Sequence, residues 1–255
     1  EITFTTATIG ASDITSNTPV GVEKSTAVYF SGRIYIIGGL KDTASSEVYF
    51  SDVLPEGSLT NWVHAQDLPF PLFDSAATVY DYKIWVVGGN NGAIPVQSSY
   101  VARINTDGTL SDWSSARSLP IQIEKHSLHA MSTGIMVIGG NTTGSPSNRC
   151  YLAHLKINNE LTPWESTEFV EGISNHSSLI ANDSLVIIGG KNQVGPTKSV
   201  RSFILDQYQP WSDSEAIPIS LKGSAGAGRI NNHVYMSGGI EPGPIIHSDI
   251  FVSDL

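Results

Sequence analysis

The sequence predicts an all-β chain built from one repeated four-stranded unit, and three markers on a common period carry that expectation. The first is an apolar strand that runs into two glycines. It reads RIYIIGGL at 33–40, KIWVVGGN at 83–90, GIMVIGGN at 134–141, SLVIIGGK at 184–191 and HVYMSGGI at 233–240. The pairs begin at Gly38, Gly88, Gly139, Gly189 and Gly238, in steps of 50, 51, 50 and 49 residues. The second marker is one tryptophan after each of the first four pairs: Trp62, Trp113, Trp164 and Trp211. The third is the tail DLP, SLP or AIP, ending at Pro69, Pro120 and Pro218. Self-similarity at such a period marks a repeat architecture, and units of four short strands at this spacing are β-propeller blades.

Each unit reads the same way from its start. A first strand (STAVYF at 25–30, SAATVY at 75–80, SLHAM at 127–131, SSLIA at 177–181, AGAGR at 225–229) begins with small residues, as the most crowded strand of a blade requires. A tight turn follows: SG, DY, STG, ND or NN. The second strand ends at the glycines, which let the backbone adopt a conformation a side chain disfavours, or let two backbones approach closely. A polar loop leads to a third strand such as SYVARI at 99–104. NTDG at 105–108 then makes a hairpin into a fourth strand that carries the tryptophan. Strands are short, turn residues are regular and no long helical period occurs.

The ends complete the count. The fifth unit stops after its third strand, SDIFVSDL at 248–255, while EITFTTATIGASDI at 1–14 is a surplus β-like segment before the first unit. Stepping back from Gly38 by the interval between Trp62 and Gly88 reaches Ser12, inside that segment. The expectation is a single five-bladed propeller over residues 1–255, its last blade completed by the N-terminal strand so that no edge is left open.

Bulk properties exclude several classes. The formal net charge is -10 and no lysine–arginine cluster interrupts it, which argues against a nucleic-acid partner. A single cysteine, Cys150, excludes an internal disulfide framework and a cysteine-rich zinc site. No apolar run reaches the roughly 18 residues that span a bilayer, so no membrane insertion is expected. The chain begins at Glu1 rather than methionine, so it reads as processed or as part of a longer protein whose neighbouring domains would be partners. No nucleophile elbow, phosphate loop or EF-hand loop is present.

The apolar strand with a double glycine, an aromatic-bearing third strand and a spaced tryptophan together resemble kelch repeats, over essentially the whole chain. RIYIIGG at 33–39 and HVYMSGG at 233–239 stand close to the family phrase. Kelch units often carry a histidine 13 residues before the first glycine, and His126 and His176 match it. They often carry an arginine three residues earlier; here those positions hold Val22, Leu72, Ile123 and Ile173, so the acidic-ligand site of some kelch domains is not implied. Kelch propellers commonly have six or seven blades, against five here. The resemblance implies binding of proteins or glycans. A minority of relatives are enzymes, among them a copper-radical oxidase and a sialic acid mutarotase. The oxidase needs a cysteine linked to tyrosine, but Cys150 occupies a framework slot taken by Val48 and Ser99 in the first two units.

In a propeller, the lead-in to each first strand and the loop after each glycine pair emerge on one face around the central channel, where a ligand touches several blades. The lead-ins supply Glu23, Lys24, Phe73, Asp74, Glu124 and Lys125. The loops supply Asn90, Asn91, Asn141, Lys191 and Asn192. Amides and carboxylates bond directionally to hydroxyls, and Phe73 offers a face to a sugar ring. The leading expectation is a non-enzymatic recognition module, extracellular or on a cell surface, that binds a glycan or a protein through this face without metal or cofactor. Two alternatives stand beside it. One is a glycosidase-like enzyme using Glu23, Asp74 and Glu124, since paired carboxylates can divide acid and base roles. The other is a structural spacer. His126 and His129 lie three apart on a strand and so face opposite ways, which argues for packing rather than a shared metal. The tryptophans, Trp85 included, read as core. Sequons start at Asn141, Asn175 and Asn182.

Overall fold

The structure is a computed structural model that describes residues 4–7, 21–168, 171–181, 184–205, 211–214, 216–217, 226–230, 233–237, 240–241, 245–246 and 250–254. All regular structure among them is β. The first strand is β1 (Phe4–Ala7). A sheet of order β2-β3-β4-β5 follows, from β2 (Thr26–Phe30), β3 (Arg33–Leu40), β4 (Ala44–Asp52) and β5 (Val63–His64). The next is β6 (Ala76–Tyr80), β7 (Lys83–Val87), β8 (Ser99–Arg103) and β9 (Ser114–Ala116), then β10 (Ser127–Met131), β11 (Gly134–Ile138), β12 (Arg149–His154) and β13 (Glu165–Glu168). The fourth is β14 (Ser177–Ala181), β15 (Ser184–Ile188), β16 (Val200–Ile204) and β17 (Ser212–Ser214). Beyond these lie β18 (Gly226–Ile230), β19 (His233–Ser237), a small hairpin of β20 (Ile240–Glu241) and β21 (Ile245–Ile246), and β22 (Ile250–Asp254). The final sheet has the order β18-β19-β22-β1, with Phe4 opposite Ser253 and Ala7 opposite Ile250. The N-terminal strand therefore takes the fourth place there. Ser12 lies outside the described residues.

The chain divides into two compact units, residues 13–138 with 151–166, and residues 1–12 with 139–150 and 167–255. In the first, β6 lies beside both β2 and β10, so first strands are neighbours and successive sheets stack face to face as propeller blades do. β7 explains why the second strands are continuously apolar. Ile84 and Val86 join a core with Tyr35, Ile37, Val48 and Phe50 of the preceding sheet. Trp85 and Val87 point the other way, into a core with Leu128, Ile135, Val137 and Tyr151 of the following sheet. All four side chains are essentially inaccessible, so both faces of the strand are covered. Each such burial contributes about 1.5–3 kcal/mol. The second unit repeats the device: Val186 and Ile188 of β15 share a core with Val234 and Met236 of β19.

The glycine pair is a seam between sheets. Gly39 N donates to Leu72 O at 2.8 Å, Gly89 N to Ile123 O at 2.8 Å and Gly140 N to Ile173 O at 2.7 Å. At Gly88, with φ +60°, a Cβ would fall 2.7 Å from Ile123 O and 2.7 Å from His126 Cε1. At Gly89, with φ +100°, a Cβ would fall 2.7 Å from Ser75 Cβ of its own sheet. The first glycine thus makes room for the next sheet and the second for its own lead-in. The tryptophans add a second seam. Trp113 Nε1 donates to Gln66 O at 2.9 Å and Trp164 Nε1 to Arg117 O at 3.1 Å, each carbonyl lying just past the fourth strand of the preceding sheet. The tryptophans stand immediately before the fourth strands rather than within them, and Trp62 Nε1 is buried without such a bond. NTDG is the expected hairpin, with Gly108 N donating to Asn105 O at 3.0 Å.

Candidate functional site

The lead-in to each first strand makes the same sharp turn. Lys24, Asp74 and Lys125 all have left-handed backbones, with φ of 54°, 51° and 56°. Such a conformation is unfavourable for a residue with a Cβ, so neighbouring bonds must hold it. Here they run from sheet to sheet: Asp74 N donates to Lys24 O at 2.9 Å, and Lys125 N donates to Asp74 O at 2.9 Å. On the upstream side, Glu23 pairs with Leu40 and Phe73 with Asn90 as isolated bridges, which fasten each lead-in to its own post-glycine loop. The result is a strip of three lead-ins, one per sheet, within the first compact unit.

A charged cluster sits on that strip. Lys125 Nζ lies 2.8 Å from Glu124 Oε1 and 3.7 Å from Asp74 Oδ2. Asn90 Nδ2 donates to Glu124 Oε2 at 2.7 Å, while Asn90 Oδ1 accepts from Gly92 N at 2.9 Å. Glu124 is 6% exposed. The Asp74 side chain is 13% exposed, and among the described residues no donor comes within hydrogen-bonding distance of its buried Oδ2. Burial raises the Asp74 pKa and Glu124 adds to the rise, opposed by Lys125 and Lys24. Burial pulls the Lys125 pKa down, but the hydrogen bond to Glu124 and the two carboxylate charges outweigh it, so the ammonium is held. Two carboxylates thus share one cation, and they are inequivalent: Glu124 is doubly bonded, Asp74 is not.

Glu23, Lys24 and Phe73 flank this cluster. Glu23 is mostly exposed and pairs with Lys24 at 3.2 Å. Lys24 Nζ in turn lies 5.5 Å from the centroid of the Phe73 ring, a cation–π contact on a half-buried ring. Glu23 is not drawn in with Asp74 and Glu124. Asn91 is exposed, and its Oδ1 accepts from Ala93 N at 3.0 Å and Ile94 N at 3.1 Å, which shapes the loop. Asn141, Lys191 and Asn192 belong to the second compact unit. Asn141 bridges to Pro146, and exposed Lys191 bridges to Ser174 and Pro196. Asn192 Oδ1 accepts from Val194 N and Gly195 N at 2.9 Å, and its Nδ2 donates to Glu171 Oε1 at 2.7 Å.

That last bond leads to residues the repeat pattern did not single out. Glu171 Oε2 lies 3.0 Å from Arg201 Nη2, and Arg201 Nε lies 3.0 Å from Asp213 Oδ1. The available signal was a break in the repeat, since Arg201 stands where earlier units place Tyr49, Tyr100 and Tyr151.

The histidines pack. His126 lies against Gly88, and His176 lies against Gly139, where a Cβ would fall 3.0 Å from its Cε1. Burial lowers the His126 and His129 pKa values to about 4, so both rings are neutral at pH 7. Among the described residues no three His, Cys, Asp or Glu side chains converge as a metal site. Cys150 is buried, and burial pushes its thiol pKa up, away from reactivity. No helix among the described residues is long and apolar enough to cross a membrane.

No family model matches the chain, and no curated protein matches it. Among solved structures it is similar to one titled "Structure of YjhT", with a TM-score of 0.74 and 15% sequence identity, covering 90% of this chain and 80% of that one. At that identity the likeness speaks to the fold alone.

Proposed function

We propose that the chain is a kelch-like recognition module whose sheets close as one five-bladed propeller, and that it binds a glycan or a protein ligand through the lead-in and loop face, without catalysis. The observation that carries this reading is the Asp74–Lys125–Glu124 cluster. Burying charges costs several kcal/mol per ion, and a site with a purely structural task is served as well or better by apolar residues. The neighbouring positions Leu72 and Ile123 are apolar and buried. Asp74 Oδ2 is buried and accepts no hydrogen bond among the described residues, so this carboxylate is kept without the partner a purely structural role would give it. Glu23, Lys24, Phe73 and Asn90 border it with an acid, a cation, a ring and an amide, which suits a hydroxylated or peptide surface. Exposure on an outer cell surface or in secretion accords with such a module.

The test is a glycan array together with pull-down by the immobilised chain, each run beside Asp74→Asn. A ligand captured by the parent and lost at least tenfold by the variant supports the reading. An empty array and an empty pull-down, or capture indifferent to Asp74, would overturn it.

One observation favours a second reading, a carbohydrate-active enzyme. Asp74 is pushed toward its protonated form while Glu124 is held by Lys125 and Asn90, the kind of split an acid–base pair needs. Release of nitrophenol from aryl glycosides, abolished by Glu124→Gln, would support it. Glu23, exposed and tied to Lys24, takes no part in that version.

A further inference from the structure

Within the second compact unit, the fourth sheet departs from the repeat at two partnered positions at once. Strand register defines the first. Tyr49 stands opposite Ile36 and His64, Tyr100 opposite Val86 and Ser115, and Arg201 opposite Ile187 and Asp213. By spacing, Tyr151 holds the same place in the third sheet. The second position lies 18 residues before the first glycine and reads Phe70, Ile121 and Glu171. In the second sheet the two positions touch: the Phe70 and Tyr100 rings are 6.5 Å apart, tilted by 36°. In the third, Ile121 borders the core that holds Tyr151. In the fourth, the apolar pair has become the ion pair Glu171–Arg201 at 3.0 Å. Arg201 is only partly exposed, so a charge there gains from an opposite charge at the facing position, and the two changes are physically linked.

The ion pair borders a cavity of about 70 Å³ lined by Glu171, Ile187, Ser199, Arg201, Trp211 and Asp213, with Ile173 beside them. Arg201 spends Nε on Asp213 and Nη2 on Glu171. Among the described residues nothing bonds its Nη1. The two carboxylates leave the group one negative charge in excess, which disfavours an anionic ligand. The wall thus presents donors from one guanidinium between acceptors from two carboxylates, beside an indole. Trp211 is steadied by Phe203, with ring centroids 5.2 Å apart.

We propose that this cavity is a binding site for a neutral saccharide ring. A vicinal diol suits it because each hydroxyl both donates and accepts. One hydroxyl accepts from Arg201 Nη1 while donating to Asp213, its neighbour donates to Glu171, and the apolar C–H face of the ring lies against Trp211. A phosphate or carboxylate ligand would meet two carboxylates, and a purely apolar ligand would strand Arg201.

The full chain is titrated with the methyl glycosides of glucose, galactose, mannose and N-acetylglucosamine. Tryptophan fluorescence and saturation-transfer NMR are the readouts. At least one glycoside binds with a millimolar or tighter Kd and shifts the emission. The double variant Glu171→Phe with Arg201→Tyr, which installs the apolar pair of the second sheet, weakens that binding at least tenfold. Asp213→Ser, a change at an exposed side chain that leaves folding intact, weakens it several-fold. Absence of binding by all four glycosides, or undiminished binding by folded double and Asp213→Ser variants, would overturn the proposal and leave the lead-in reading standing on its own tests.

Discussion

Residues 123–126 hold two regions of opposite character side by side. Ile123 and His126 belong to the seam: the Ile123 carbonyl accepts from Gly89, and both side chains lie against Gly88. Glu124 and Lys125, between them, belong to the charged cluster with Asp74 and Asn90. The repeat separates the same four residues in the same way. The seam positions read Val22, Leu72, Ile123 and Ile173, then Ser25, Ser75, His126 and His176. The positions between read Glu23, Phe73, Glu124 and Ser174, then Lys24, Asp74, Lys125 and Asn175. Seam residues must fit against the glycine pair, so the first position stays aliphatic and the second alternates only between serine and a histidine packed on the glycine. The residues between them meet no such surface, and only the left-handed backbone is common to Lys24, Asp74, Lys125 and Asn175. Backbone and seam are framework, while the side chains carried between are free to differ.

The largest effect expected of the seam is loss of stability in acid. His126 and His129 are buried with pKa values lowered to about 4, against 6.5 for the free side chain. A base whose folded pKa is lowered stabilises the fold fully above its unfolded pKa and loses that contribution as pH falls through the folded value. Each ring therefore withdraws about 3 kcal/mol between pH 6.5 and 4. Denaturant midpoints measured across that window should fall steeply. A His126→Gln variant, less stable at pH 7, should show a visibly shallower slope. An equally steep slope in the variant would remove His126 from the seam's account.

Gly88→Ala comes next. The added Cβ meets a backbone carbonyl and the His126 ring at 2.7 Å, at a φ that alanine disfavours. The expected cost is about 2–4 kcal/mol, read from urea unfolding. Gly57, in the hairpin loop between β4 and β5, also has positive φ, but a Cβ there meets nothing within 4 Å. Gly57→Ala should therefore cost only about 1 kcal/mol, from backbone strain alone. Equal losses at the two sites would show that packing against the next sheet is not what Gly88 serves.

This division also explains what was legible in the sequence. The glycine pairs and the apolar second strands recur, so period and burial place them, and the N-terminal strand takes the fourth place beside β22. The recurring Trp62, Trp113, Trp164 and Trp211, expected in the core, are only half-buried, whereas Trp85, which does not recur, is buried. Of the candidate site, the positions were legible but not the partnerships. Nothing in the spacing of Glu23, Asp74 and Glu124 says that Lys125 would gather two of them and leave the third to Lys24. Those choices depend on side-chain reach across sheets rather than on period. The Glu171–Arg201 pair was hidden for a related reason. It shows only when two breaks in the repeat are seen to face each other, and that requires the register of β15, β16 and β17.

On the other side of the comparison, Lys125→Met removes the one cation shared by Glu124 and Asp74. Because the site is partly open to solvent, the loss is discounted to about 1–2 kcal/mol at pH 7. The informative readout is the carboxylates, followed by NMR titration of the side-chain carboxyl carbons. Without Lys125 the Asp74 pKa should rise further, since Lys125 is the largest of the effects that lower it. An unmoved Asp74 would mean that Lys24 is its effective counter-charge.

The smallest effect on stability should come from Asp74→Asn, and its sign is the sharpest test of the cluster. A carboxyl whose pKa is raised by folding binds its proton more tightly in the native state. Native stability then falls as pH rises from the unfolded pKa through the folded one, and above that window the ionised group is a net cost. Replacing Asp74 by the neutral amide removes this cost, so Asp74→Asn should match or slightly exceed the parent at pH 7. Toward the ordinary carboxylate range, where Asp74 is protonated and equally neutral, the advantage should vanish. Melting temperatures of parent and variant between pH 3.5 and 7.5 test this directly. A variant less stable at neutral pH would make Asp74 a structural partner of Lys125, needed where it is for the fold. A variant as stable as the parent but unable to capture ligand would separate the two roles, since the residue would then be kept for a partner outside the chain.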